Sequence, residues 1–211
     1  MQQVGRAMVK LSDALRKDAK TPTSSTTDYV RALTQSDTHP FYPPTSAQDW
    51  LRPEVYLTAL NLRAARVLSD FEGEMDQGGE KGRRLVDLSW ECVELSKCHC
   101  EVVISQWFSE RIDGVKQQQE QGAGVPIGQA ERKWLEKLAQ LQALTSLSRN
   151  VTPLALPFSS SSGLAAYKAG SSILTAESVA HLEAAIRGLV ADLLPQVIAL
   201  TDGEFQHSII V

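Results

Sequence analysis

The apolar residues of this chain recur at intervals of three and four, and no segment shows the strict alternation of apolar and polar residues that is typical of a half-buried strand. Such helical stripes cover about residues 1–18, 53–75, 81–121, 135–147 and 175–200. The pattern predicts an all-α fold, a bundle of about five helices, two of them long, whose leucine-rich faces pack against each other.

Local signals place several helix ends. Pro53 suits the first turn of the second helix, and Gly78-Gly79 is expected to end it. Thr175, followed by Glu177 in the first turn, is expected to cap the last helix. Pro195 falls inside that helix and predicts a kink.

Two stretches lack helical periodicity and are rich in proline, serine and threonine. They are residues 20–50, which include Pro40-Phe-Tyr-Pro-Pro44, and residues 151–172, which include Ser159-Ser-Ser-Ser162. Repeated prolines block regular hydrogen-bond ladders, so both stretches are predicted to be long surface loops. They interrupt one helical domain that spans residues 1–211.

Composition and charge exclude several classes of partner. The 211 residues carry a formal net charge of −4 and have a pI near 5.6, so no basic surface for nucleic acid or anionic lipid is expected. No apolar run reaches the roughly 20 residues that span a bilayer, and the first residues lack the core of a signal peptide. The three cysteines lie within Cys92–Cys100 and predict a reducing compartment rather than a disulfide framework. The sequon Asn150-Val-Thr152 is then interpreted as a chance match.

Cys98-His99-Cys100 is the cluster that most resembles a metal or thiol site. On a helix, however, residues one and two apart point in different directions, whereas ligands of one zinc ion come from positions three or four apart. Cys92 and His99 share a face but stand two turns apart, about 10 Å along the axis, too far for one metal or a thiol–imidazole pair. The cluster is therefore interpreted as packing, with a metal or nucleophile as the weaker alternative.

The helical wheel assigns each member of the cluster a separate side. His99 continues a core stripe with Leu85, Leu88, Cys92, Leu95 and Val102. Cys100 falls on an adjacent apolar side with Val86, Val93, Val103 and Ile104. Cys98 falls on a polar side with Asp87, Glu91, Glu94 and Ser105, and is expected to face outward.

Other candidate sites have plainer explanations. Gly122–Gly128 has three glycines but follows no strand, which favours a helix–helix turn over a phosphate-binding loop. Ser160 and Ser161 lack the glycine context of a nucleophilic serine. Arg63 and Arg66, three apart on one helix, could hold a carboxylate or phosphate, although a solvated or salt-bridged face is the preferred interpretation.

Several segments together resemble the C-terminal helical region of the acyl-CoA oxidases, which are FAD-dependent peroxisomal enzymes. Ser96-Lys-Cys-His-Cys-Glu101 is similar to a family pattern Ser-x-Ala-His-Cys-His, and the similarity continues through Phe108-Ser-Glu110. The remaining matching segments are Met1–Lys10, Leu62-Arg-Ala-Ala-Arg66, Leu135–Asn150, Ile173-Leu-Thr175 and Ile198-Ala-Leu-Thr-Asp202. Each is weak alone, but their order and spacing extend over nearly the whole chain.

The resemblance implies a reaction, a cofactor and a location. Family members oxidise fatty acyl-CoA with oxygen to trans-2-enoyl-CoA and hydrogen peroxide, in fatty acid β-oxidation, as homodimers in peroxisomes. Their catalytic glutamate and most of their FAD contacts lie upstream of the region represented here. The chain is thus expected to begin in mid-domain, to carry no catalytic or metal-binding residue, and to bind no FAD alone; residues that contact FAD stay unassigned.

The chain also departs from the family pattern. Glu101 replaces the second histidine, the Arg/Asp-Gly segment after the last helix is absent, and Ile209-Ile-Val211 is not a peroxisomal address, which leaves a cytoplasmic location open. These departures keep a second interpretation alive, a non-catalytic helical module that pairs with a full-length oxidase or another helical partner.

Overall fold

The fold is a bundle of helices. The computed structural model describes residues 2–34, 41–76, 87–120, 128–158, 164, 166–168 and 170–208, and of residues 2, 116–120 and 199–208 the backbone alone. Five helices of four or more turns occur in these ranges: α1 Gln2–Lys17, α3 Pro53–Asp76, α4 Ser89–Glu120, α5 Gln129–Arg149 and α7 Ala176–Ser208. Two single turns, α2 Ala47–Trp50 and α6 Thr152–Ala155, and a 3-10 helix at Asp28–Leu33 lie between them. Since no described residue is in a strand, the predicted all-α bundle is confirmed.

The long helices surround one apolar core. Helix α3 packs along α4, α5 contacts α3, α4 and α7, and α1 lies against α4. At the α1–α4 crossing Gly5 faces Cys92, where an added Cβ would stand 3.3 Å from the Cys92 sulfur. The missing side chain therefore allows α1 to approach α4 closely.

The predicted helix ends are correct at two positions and wrong at one. Helix α3 begins at Pro53, and the Thr175 hydroxyl oxygen accepts a hydrogen bond from the Ser178 N–H at 3.1 Å, as an N-cap does. Helix α4 begins at Ser89, because Asp87 and Leu88 form a turn instead of continuing a helix from residue 81. Residues 77–86, with Gly78-Gly79, lie outside the described residues. Helix α7 continues through Pro195, and the kink there stays a prediction.

The two proline-rich stretches are only partly surface loops: residues 20–27 and 41–46 lie in no helix or strand, whereas the prediction was wrong for the helical turns and buried side chains that follow. In the first stretch Tyr29, Val30, Leu33 and Trp50 are buried, and the Trp50 indole N–H donates to the Ser178 carbonyl at 2.9 Å. In the second stretch Leu154, Phe158 and Leu164 are buried. Short helical turns satisfy the local backbone groups, which lets these segments carry apolar side chains into the core.

Candidate functional site

The cysteine–histidine triplet lies in the middle of α4, but its two cysteines face the opposite way to the sequence prediction. The Cys98 side chain is buried, with 1% of the residue exposed, and Cys100 is exposed. His99, expected in the core stripe, is half-buried. The prediction that Cys98 faces outward and Cys100 packs on an apolar side was therefore wrong.

Cys98 is buried because the polar side of α4 faces other helices. We call this side the buried polar seam: Glu94, Cys98, Glu101 and Ser105. Helices α3 and α5 pack against α4, and α3, α5 and the C-cap of α5 supply polar partners to three of these residues. The Glu94 carboxylate accepts a hydrogen bond from the Asn150 side-chain amide at 3.2 Å. The Ser105 hydroxyl donates to the side-chain amide oxygen of Gln142 at 3.0 Å. Buried polar groups are tolerated when they are paired in this way.

Glu101 has the strongest partner in the seam. Its carboxylate accepts from Arg63 Nη2 at 2.5 Å, and the second terminal nitrogen of Arg63 donates to the Ser146 carbonyl at 2.6 Å. The Arg63 side chain is fully buried and the Glu101 side chain is 14% exposed. One guanidinium thus joins α3, α4 and α5 at a single point.

Arg66 is also held by the fold. Its Nε lies 3.0 Å from the Asp70 carboxylate, Nη2 donates to the Pro157 carbonyl at 3.2 Å, and the guanidinium lies 4.1 Å from the centre of the Phe158 ring. The salt-bridged interpretation of Arg63 and Arg66 is confirmed, but the two side chains are buried rather than solvated. Arg63 Nε and Arg66 Nη1 have no hydrogen-bond partner among the described residues, but both atoms are buried and do not face solvent.

The buried thiols are poorly suited to nucleophilic or metal chemistry. Burial raises the pKa of Cys98 to about 11, and it raises the pKa of Cys92 as well. The reactive and metal-binding form of cysteine is the thiolate, so Cys98 is a neutral thiol near pH 7. Across the described ranges, no group of three or more His, Cys, Asp or Glu side chains is arranged to hold a metal ion.

His99 has a partner that the sequence did not indicate. Its Nδ1 lies 3.2 Å from the hydroxyl of Tyr29, in the 3-10 helix. Burial lowers the pKa of His99; it also raises the pKa of Tyr29, with smaller contributions from Cys98 and Cys100. Both groups are therefore neutral at physiological pH, and their hydrogen bond attaches the 3-10 helix to α4.

Another side of α4 is largely apolar and, apart from the half-buried Val93, exposed. We call it the outer stripe: Trp90, Val93, Lys97, Cys100, Ile104, Trp107 and Arg111. Trp90, Ile104 and Trp107 are 71%, 46% and 53% exposed. Beside Trp107 lies an apolar cavity of about 120 Å³, bordered by Phe108, Leu135 and other side chains of α4 and α5. Cys100 stands in the middle of this stripe.

A larger cavity, of about 540 Å³, lies between the segment around the 3-10 helix and the outer faces of α3 and α4. Its lining residues are Thr23, Ser24, Ser25, Asp28, Tyr29, Arg31, Ala32, Thr58, Asn61, Leu62, Gln106 and Tyr167. Arg31 is the only cation among them, and it donates to Asp28 and to the carbonyls of Ala19 and Thr21, each at 2.8 Å. A cavity whose cation is already bound does not suit the pyrophosphate of FAD.

Comparison with known proteins identifies the family. The acyl-CoA oxidase family model matches residues 52–208, about three quarters of the chain. The chain belongs to the acyl-CoA oxidase family. Two solved acyl-CoA oxidases share its fold: Arabidopsis thaliana acyl-CoA oxidase 1, with a TM-score of 0.69, and an acyl-CoA oxidase from tomato (Lycopersicon esculentum), with a TM-score of 0.68. Each is 20% identical and is matched over 95% of this chain. No curated protein matches with significance.

The family likeness covers one part of the solved enzymes. This chain spans 26% of the Arabidopsis acyl-CoA oxidase and 27% of the tomato one. No helix in the described part of the chain is long and apolar enough to cross a membrane. The glycine turn at 122–127, Ser160 and Ser161 lie outside the described residues, and their predicted interpretations stay predictions.

Proposed function

We propose that the chain is the C-terminal helical portion of an acyl-CoA oxidase, an enzyme that converts fatty acyl-CoA and oxygen to trans-2-enoyl-CoA and hydrogen peroxide in fatty acid β-oxidation. The observation that carries this proposal is the family match over residues 52–208, together with the shared fold. In the intact enzyme these helices support the acyl and flavin environment and contribute to a homodimer.

The described residues favour a supporting role over a catalytic one. Removal of the proton next to the thioester carbonyl requires a carboxylate that is free to act as a base. Two carboxylates that are largely buried in the described part of the chain are instead paired: Glu101 with Arg63, and Glu72 with Arg16. Asp28, at the larger cavity, is held by Arg31. We therefore expect the base and the electron acceptor FAD to be held mainly by residues outside this chain.

Flavin binding and turnover test this division of roles. We expect the isolated chain to lack the absorbance band of oxidised flavin, at about 450 nm. We also expect it to form no peroxide from acyl-CoA. A full-length acyl-CoA oxidase prepared in the same way is the positive control. A yellow preparation with stoichiometric FAD would show that the cofactor site lies within these 211 residues.

The coding sequence upstream of Met1 tests the proposal most directly. An in-frame extension that encodes a β-barrel domain and a catalytic glutamate is the expected result. An in-frame stop codon close to Met1 in every transcript would contradict it, and would favour the second candidate function.

That second candidate is a non-catalytic assembly module. The outer stripe of α4 favours it, because large exposed apolar side chains aligned along a helix are typical of a protein interface. Such a module would bind a second copy or a full-length oxidase. Co-elution with an acyl-CoA oxidase, and a change in the oxidase's rate, would support this function; neither effect is expected of an inert fragment.

A peroxisomal location belongs to the same proposal. Family membership supports it. Co-localisation of the tagged chain with a peroxisomal marker in cells that contain a full-length oxidase tests this; a cytoplasmic distribution there would contradict it.

A further inference from the structure

The outer stripe has the spacing of a coiled-coil seam. Its members follow each other at intervals of 3, 4, 3, 4, 3 and 4 from Trp90 to Arg111, the alternation that keeps a and d positions on one line. Between Trp90 and Arg111, the exposed residues other than Glu110 all belong to this stripe, and its member Val93 is half-buried. Five of the seven members are apolar. A surface with this repeat is suited to another helix lying along it.

The stripe is complementary to itself when two copies run antiparallel. In that arrangement a positions pack against d positions, and Trp90 meets Trp107 of the second copy. Val93 then meets Ile104, and Lys97 meets Cys100. All three pairings share one centre, between Cys98 and His99, so a single two-fold axis produces them together.

The charges of the stripe favour the antiparallel direction. A parallel pair would place Lys97 against Lys97 and Arg111 against Arg111, and like charges that face each other in a seam are destabilising. In the antiparallel pair Lys97 lies opposite Cys100 instead of another lysine, and Arg111 lies beyond the last Trp pair. The cavity of about 120 Å³ beside Trp107 is then next to Trp90 of the second copy, which offers an apolar side chain to fill it.

We infer that the outer stripe of α4 is a self-association surface, on which α4 of a second copy packs antiparallel about a two-fold axis between Cys98 and His99. The inference deepens the assembly role proposed above and rests on it. The seam from Trp90 to Trp107 is about 26 Å long, close to five helical turns.

Sedimentation equilibrium of the full chain over a range of concentrations tests the surface. We expect a concentration-dependent dimer, which Ile104→Glu weakens about 100-fold because two carboxylates would then be buried in the seam. Trp90→Lys is a second variant at a more exposed position. Leu194→Glu is the matched control, since Leu194 is a 52% exposed apolar residue on α7. Far-UV circular dichroism and the unfolding midpoint check that each variant folds.

Cysteine cross-linking tests the direction. Cys92 and Cys98 are buried, so Cys100 is the only thiol of the chain that a reagent reaches in the native state. The two Cys100 residues lie near the proposed axis, and a short bismaleimide should link them. Cys100→Ser should abolish the covalent dimer, and Ile104→Glu should reduce it strongly.

Three results would overturn the inference, and they separate it from the proposed functions. A dimer broken by Leu194→Glu but not by Ile104→Glu would place the interface on α7 and leave an assembly role intact. A chain that stays monomeric but co-elutes with an oxidase would exclude self-association and would also leave an assembly role intact. A chain that binds neither a second copy of itself nor an oxidase would exclude the assembly role as well. That result would leave open the proposal that the chain is part of an acyl-CoA oxidase.

Discussion

Two sides of α4 reverse the usual arrangement of a surface helix, whereas a third side, with Leu88, Cys92, Leu95 and Val102, is apolar and buried as predicted. The buried polar seam carries two glutamates and a serine into the bundle, whereas the outer stripe presents two tryptophans and an isoleucine to solvent. The polar side can be buried because Arg63, Asn150 and Gln142 come from neighbouring helices to pair with it. The comparison shows that a polar side of a helix can be buried beside its apolar side when neighbouring segments supply hydrogen-bond partners.

The pair of Glu101 and Arg63 is the centre of this reversal. Two charges taken out of water carry a desolvation cost that their attraction often does no more than offset, so such a pair is weak evidence of net stability. Its geometry is nevertheless specific, because the same guanidinium also binds the Ser146 carbonyl. The pair fixes the relative positions of α3, α4 and α5.

Removal of the Glu101 carboxylate should have the largest effect. Glu101→Leu leaves the charged, fully buried Arg63 without its ion-pair partner, which should lower the free energy of unfolding by about 3–5 kcal/mol. Urea denaturation near pH 7 measures the loss. The double variant Arg63→Met with Glu101→Leu should recover most of it, because no unpaired charge is then buried.

An exposed ion pair provides the control for this experiment. Glu183 and Arg187 on α7 are 3.7 Å apart, with side chains 56% and 70% exposed. Glu183→Leu should change the free energy of unfolding by less than about 1 kcal/mol, since solvent screens such pairs. If the double variant Arg63→Met with Glu101→Leu is less stable than Glu101→Leu alone, the attraction within the ion pair, and not the uncompensated charge, accounts for most of the stability loss.

The two cysteines of the triplet sharpen the same comparison at smaller magnitude. Cys98→Ser places a hydroxyl in the buried seam and should cost about 1–3 kcal/mol, whereas Cys100→Ser on the outer stripe should stay within about 0.5 kcal/mol of the wild type. Thermal and urea unfolding measure both. A thiol reagent should label one cysteine in the folded chain and all three after denaturation; equal stability losses in the two variants would contradict the assignment of faces.

The sequence predicted the bundle and correctly placed Leu88, Cys92, Leu95 and Val102 on the core side of α4, but it did not predict that the neighbouring polar side is buried as well. Apolar periodicity is a property of one helix, and it correctly separated Cys98, His99 and Cys100. Burial depends on Arg63 and Gln142, which lie 38 and 37 residues from their partners Glu101 and Ser105. Glu94, Cys98, Glu101 and Ser105 are spaced by four, three and four, but the solvated face of any amphipathic helix has the same spacing, so the spacing alone did not indicate burial. No signal in the sequence indicated that Tyr29 is buried, because Tyr29 lies in a stretch that is rich in proline, serine and threonine and was predicted to be a surface loop.

His99, at the border between the two sides, should give the smallest effect and the one that depends on pH. Burial holds its pKa below the ordinary value of 6.5, so as pH falls below 6.5 the unfolded chain takes up a proton before the folded one does. Stability should therefore decrease as pH falls from 6.5 through the lower pKa of the folded state.

His99→Gln removes this titration and can keep a hydrogen bond to Tyr29. Urea unfolding between pH 7.5 and 5, in steps of about half a unit across the range where histidine titrates, should show a flatter decline for His99→Gln. Glu72 and Asp70, whose pKa values burial raises, act in the opposite direction and are common to both proteins, so only the difference between the two curves reports on His99. Identical curves would mean that the His99 ring is as accessible to protons in the folded chain as in the unfolded one, and that it belongs with the outer stripe.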